Sequence, residues 1–121
     1  MSLKLAFRPE PTLLVMEVSG QWIASDVDEV IAAARAEAER CRLRRLLVDV
    51  RQVSPPGSET TRFSAGARWA ELFDAQFRAA FIVRPAMYNG FAEIVARNRG
   101  ANVAVFFEEA AARKWLNEGM T

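Results

Sequence analysis

Three short apolar runs constrain this chain more than any other feature. The central one lies within Leu43 to Val53, where Leu46 to Val50 holds one polar residue, Asp49. The second, Ala79 to Val83, stands between Arg78 and Arg84, and the third is Val103 to Phe107. A run this short and this apolar reads as a strand, and the central one as a strand covered on both faces. The segments between the runs are helical in spacing. Strands that alternate with helices imply parallel pairing through right-handed crossovers.

The rest of the chain fits around these runs. Leu3, Leu5 and Phe7 alternate with polar or small residues, which predicts a half-buried strand. Pro9 and Pro11 break it, and Leu13 to Val18 is expected to return as the second arm of a hairpin, ended or bulged at Gly20. A helix is expected from Ser25-Asp26, with a capping box formed by Asp26 and Glu29 or by Ser25 and Asp28. Its buried stripe is Val27, Val30, Ile31, Ala34, Ala38 and Cys41. The basic cluster Arg40, Arg42, Arg44 and Arg45 suits the negative end of that helix. Pro55-Pro56-Gly57 stops the central strand, and Ser58, Thr60 and Thr61 are candidate caps for the next helix. That helix carries Phe63, Ala67, Trp69, Ala70, Phe73 and Phe77 on one broad side. Pro85 is placed to start a third helix at its first turn, with a stripe of Met87, Phe91, Ile94 and Val95 and with Gly100 as its left-handed stop. Glu108 and Glu109 suit the start of a fourth, where Ala112, Trp115 and Leu116 pack. The expected order is β-β-α-β-α-β-α-β-α: one α/β domain over residues 1–121, with four helices on a mixed, mostly parallel sheet of about five strands.

Composition excludes several functions. Sixteen basic and 15 acidic residues leave a net charge of +1, so nothing in the balance calls for nucleic acid or an anionic membrane. There is no histidine, which removes Ser-His and Cys-His nucleophile pairs, histidine metal sites and a histidine pH switch. One cysteine, Cys41, allows no intrachain disulfide and reads as a small residue of its helix's core stripe. No apolar run approaches the ~18 residues of a membrane span. Met1-Ser2-Leu3-Lys4 lacks the long apolar stretch of a signal peptide, and none is expected. A cytoplasmic protein without metal or cofactor is expected, and it is not expected to be an enzyme, because no base is identified for a serine or threonine nucleophile.

The candidate sites are few. The loop Ser54 to Arg62 leaves the carboxyl end of a central parallel strand, where open α/β sheets place their sites. Ser58, Thr60, Thr61 and Arg62 are the candidates there for a partner or anion site at a helix start; ordinary capping is the competing role. Asp49 is either a buried functional carboxylate or a brace for the backbone that follows it. Phe63, Trp69, Phe73, Phe77, Met87 and Phe91 form either a packed core or one wall of an apolar pocket. Trp69 and Leu72 facing outward would instead make the contact of a homodimer. Arg97 and Arg99, flanking Asn98, either grip a partner's anion or serve the end of their own helix.

Three stretches carry a family resemblance: Gly20-Gln21-Trp22, Leu46 to Val53, and Ala96-Arg97-Asn98-Arg99-Gly100 leading into Val103 to Phe106, with Trp115-Leu116 in the closing helix. In that order they resemble the STAS superfamily of anti-sigma-factor antagonists, most closely its SpoIIAA-like branch, kin to STAS/SEC14-like proteins. The resemblance implies a non-enzymatic regulatory or protein-interaction domain with a regulatory protein as partner. It also raises a second reading, a carrier of a small apolar or lipid-like ligand between helices 61–77 and 86–99 and the sheet. The chain departs from the regulated antagonists at one point. They carry Asp-Ser, then Ser or Ala and Gly, at the start of the helix after the central strand. Here Pro56-Gly57-Ser58-Glu59-Thr60 stands in that place, and Glu59 opposes a phosphate on Ser58.

Overall fold

The computed structural model describes residues 3–22, 26–54, 66–71, 73, 76–87 and 90–118. Five strands, β1 (Leu3–Pro9), β2 (Leu14–Gln21), β3 (Arg45–Ser54), β4 (Arg78–Ile82) and β5 (Asn102–Phe106), form one sheet in the order β1-β2-β3-β4-β5. β1 runs antiparallel to β2, and the remaining neighbours are parallel. The helices are α1 (Val27–Cys41), α2 (residues 66–71), α3 (Phe91–Asn98) and α4 (Glu109–Asn117). The expected fold class and order are therefore the observed ones.

Side-chain alternation along the strands divides the interior in two. Leu14, Met16, Val18, Leu46, Val48, Ala79 and Val103 face one way and pack with α1 (Val30, Ile31, Ala34, Ala38), Trp69, Phe73 and Ala96. Leu13, Val15, Leu47, Ala80 and Ile82 face the other way, where Ala112 and Leu116 of α4 cover them. Only the first half of β3 is thus buried on both sides. Beyond Leu47, its second side carries half-buried Asp49 and exposed Gln52, so the expectation that the run Leu46 to Val50 is covered on both faces is corrected from Asp49 onward.

Local chemistry explains where the helices stop and start. α3 ends in a Schellman motif: Gly100 at φ 96° donates to Arg97 O at 3.0 Å, and Ala101 donates to Ala96 O at 3.0 Å. α1 ends the same way with no glycine. Arg42 takes the left-handed position at φ 56° and donates to Glu39 O at 3.1 Å, while Leu43 donates to Ala38 O at 3.0 Å. At the other end, Asp26 has helical backbone angles and makes no side-chain cap bond, against the expected Asp26 capping box; Ser25 lies outside the described residues. Pro85–Met87 is a single 3-10 turn, and α3 begins at Phe91 after Gly90 at φ 79°. Val95 and Ala96 are buried and Ile94, expected in the stripe, is 55 % exposed, so the buried face of α3 lies on the Val95–Ala96 side.

Both sheet edges are guarded. β1 places Lys4 and Arg8 on its exposed side and closes with Pro9. At the other edge, the Phe106 carbonyl accepts from Val83 N–H at 2.9 Å, so alternation turns the Val103 carbonyl outward. Arg97 Nε occupies that carbonyl at 2.8 Å. Charges and occupied acceptors on an edge discourage pairing with another strand.

Two substitutions test this account by urea unfolding. Leu46 has no exposed surface, and Leu46→Ala is expected to cost about 2–5 kcal/mol. Arg42→Gly is expected to stabilise by up to about 1 kcal/mol, because glycine adopts the left-handed position without steric cost.

Candidate functional site

The carboxyl ends of β2 and β3 are tied together where the candidate loop leaves the sheet. Gln21 is in register with Ser54, and Trp22 N–H donates to Ser54 O at 3.4 Å. Arg84 Nη2 donates to Val53 O at 2.9 Å from the segment after β4. The indole Nε1 of Trp22 is buried and finds no hydrogen-bond partner among the described residues. Ser58, Thr60, Thr61, Arg62 and Phe63 lie outside the described residues, so the structure locates the loop's root and not its candidate side chains.

Asp49 sits at an irregularity in β3. Glu17 pairs with Asp49 and Ser19 with Gln52, so one residue of β2, Val18, stands opposite two of β3. That is a bulge, and Asp49 braces it. Its Oδ1 accepts the Arg51 backbone N–H at 3.0 Å and Arg51 Nε at 3.0 Å, and its Oδ2 accepts Arg51 Nη2 at 2.7 Å. The Arg51 guanidinium lowers the Asp49 pKa, against an opposing push from burial. An ionised carboxylate held bidentately is a poor proton shuttle near neutral pH. The bracing role is therefore the one the geometry favours, exerted inside the strand and not at its end.

Beside Asp49 the uncovered corner of the sheet forms a shallow, open depression of about 270 Å³. Ala6 and Ser19 are among its small lining residues, and Lys4, Glu17, Asp49 and Gln52 supply its polar ones. Glu17 and Asp49 are neighbours across β2 and β3, but each carboxylate already has an arginine: Arg8 Nη1 lies 3.2 Å from Glu17, and Arg51 holds Asp49. No group of three or more carboxylate or cysteine ligands is assembled among the described residues.

The aromatic residues read as a core. Trp69 and Phe73 stack at 4.2 Å, Phe77 meets Phe73 edge-on at 5.2 Å, and Phe81 meets Trp69 at 4.9 Å. Trp69 is 7 % exposed, in keeping with the packed-core reading and against the alternative that turns it outward onto a dimer face; Leu72 lies outside the described residues, as do the side chains of Met87 and Phe91. Arg35 lies over Phe77 at 4.7 Å and closes the cluster's rim.

The arginines are the residues whose roles sequence reasoning missed. Arg45 was expected to serve the end of α1. Instead its Nε donates to Leu116 O at 2.8 Å, while Arg78, its register partner on β4, donates from Nη2 to Trp115 O at 2.7 Å and from Nη1 to Glu118 O at 3.1 Å. Both serve the end of α4. The signal was present: an arginine stands at the entry of both runs. Arg97 serves Val103, as above, and lies 3.6 Å from Glu93; Arg99 is the C-cap of α3. Cys41 is half-buried, with Sγ 3.6 Å from Glu37 Oε1 and from Arg40 Nη2, so it lies at the edge of the core stripe and not within it.

Comparison with solved structures recognises this arrangement. An anti-sigma-factor antagonist from Mycobacterium paratuberculosis superposes with a TM-score of 0.68 at 15 % identity, covering 97 % of this chain and 96 % of that one. The chain has the SpoIIAA-like, or STAS, fold. A DUF3478-family protein with a SpoIIAA-like fold from Shewanella loihica matches with a TM-score of 0.58 at 11 % identity, covering 95 % and 94 %. No family profile and no curated relative matches the sequence. Within this SpoIIAA-like frame, the root of the Ser54 to Arg62 loop and the Asp49 bulge both belong to the carboxyl half of β3.

Asp49→Ala removes the brace, and urea unfolding at pH 7 is expected to show a loss of about 1–2 kcal/mol. The pH dependence has a definite sign. A folded-state pKa below the unfolded one contributes stability that is complete above about pH 4 and is lost as the pH falls through the folded value. Asp49→Asn is expected to reduce the acid-induced loss of stability in that window and to leave its slope above pH 5 unchanged.

Proposed function

We propose that the chain is a non-enzymatic regulatory domain that acts in the cytoplasm by binding a protein partner. The supporting observation is that one SpoIIAA-like fold accounts for nearly the whole chain and nearly the whole of an anti-sigma-factor antagonist. By that likeness the proposed partner is a protein of the anti-sigma-factor class, and the proposed contact is centred on Ser58, Thr60, Thr61 and Arg62.

The root of this loop favours such a use. Bonds from Trp22 and Arg84 hold the last carbonyls of β3, so a partner meets a loop that starts from a fixed point. Pre-positioning lowers the ordering cost of binding. The residues Pro56-Gly57-Ser58-Glu59 replace the regulated serine motif, and recognition in this reading does not depend on a phosphate.

Isothermal titration of the purified chain against the anti-sigma factors of its source organism tests both parts. One of them is expected to bind with micromolar or tighter affinity. The combined variant Ser58→Ala, Thr60→Ala, Thr61→Ala, Arg62→Ala is expected to weaken that complex at least tenfold, about 1.4 kcal/mol. Absence of any complex would remove the partner class. A complex indifferent to the fourfold variant would remove the site.

A further inference from the structure

We infer that α4 is a separately opening cover on the sheet, latched by Arg45 and Arg78. The inference stands apart from the proposed partner and its loop. It rests on how differently the two sides of the sheet are held.

The side under α1 and α2 is one large core that includes Leu14, Met16, Leu46, Val48 and Phe73. The side under α4 is a separate, smaller cluster. α4 contributes two buried side chains to it, Ala112 and Leu116, and one of them is an alanine. Trp115 is only half-buried, against Phe106 at 6.0 Å. Among the described residues, its release exposes the seven buried side chains of this cluster against eighteen in the larger core, so it costs less apolar surface than unfolding the whole chain.

The remaining attachment is polar and is made at the carboxyl end and the middle of the helix. Arg45 and Arg78 donate to the carbonyls of Trp115, Leu116 and Glu118, and the Arg78 guanidinium lies 4.1 Å from the Trp115 ring centroid. From the middle of α4, Arg113 holds Glu10 of the β1–β2 turn through two bonds of 2.9 and 3.0 Å. Arg45 and Arg78 sit on the sheet and meet the negative end of the α4 dipole. Breaking them lets the helix leave without disturbing a strand-to-strand hydrogen bond. A segment with few buried apolar contacts and its own small core opens as a unit below the global unfolding free energy. In the open state Leu13, Val15, Leu47, Ala80 and Ile82 form an exposed apolar strip.

Native-state hydrogen exchange on the intact chain, read by mass spectrometry across a urea series, decides the matter. Residues 113–117 are expected to exchange through an opening with a much shallower urea dependence than residues 46–50 of β3. Arg78→Gln is expected to speed exchange in 113–117 about tenfold while 46–50 change less than twofold. Arg113→Gln, which touches no strand core, is a second probe expected to act in the same direction. The inference is overturned if 113–117 and 46–50 share one urea dependence in the wild type. It is equally overturned if either variant accelerates both segments in the same ratio.

Discussion

The handedness of the crossover is the constraint on which the rest of the structure depends. A parallel β-helix-β unit turns to the right, and β2, β3, β4 and β5 follow one another across the sheet in a single direction. Three connections of one hand and one direction put α1, α2 and α3 on the same side. Among the described residues the opposite side is left to α4, which covers Leu13, Val15, Leu47, Ala80 and Ile82. The unequal cores, the uncovered corner beside Lys4 and the polar second half of β3 all follow from that asymmetry.

Arginine does much of the work that apolar surface cannot do here. Arg45, Arg78, Arg84 and Arg97 each donate to a backbone carbonyl of a different element. Helix ends and strand ends leave acceptors without partners, and a guanidinium reaches them along a flexible stem while keeping part of itself in water. A net charge of +1 conceals this division of labour, because these cations are spent on the chain's own backbone.

Much of the fold was legible in the sequence. The run Leu46 to Val50, the alternation of Leu3, Leu5 and Phe7, and Gly100 each act through local rules that leave a periodic or positional mark. Other features leave no such mark. The buried face of α3 centres on Val95 and Ala96 and leaves Ile94 outside, and a helix of eight residues is too short for periodicity to separate such neighbours. Arg42 occupies a left-handed position that sequence rules reserve for glycine, because Leu43 is pinned to the Ala38 carbonyl and the chain must turn there. The Asp49 brace depends on a bulge set by pairing with β2, a non-local event. Of the candidate site, the root at Trp22, Ser54 and Arg84 is described. Ser58 to Arg62 remain as the sequence presented them.

The treatment of the sheet's margins has a consequence for how this molecule keeps company. Lys4, Arg8 and Pro9 line one border, and Arg97 is bonded to an outward carbonyl of the other. A visitor cannot readily extend the sheet by lending a strand of its own, so recognition is directed to shape and side chains on the faces and loops. The same reluctance protects the chain at high concentration, where open borders of neighbouring copies would otherwise zip into fibrils.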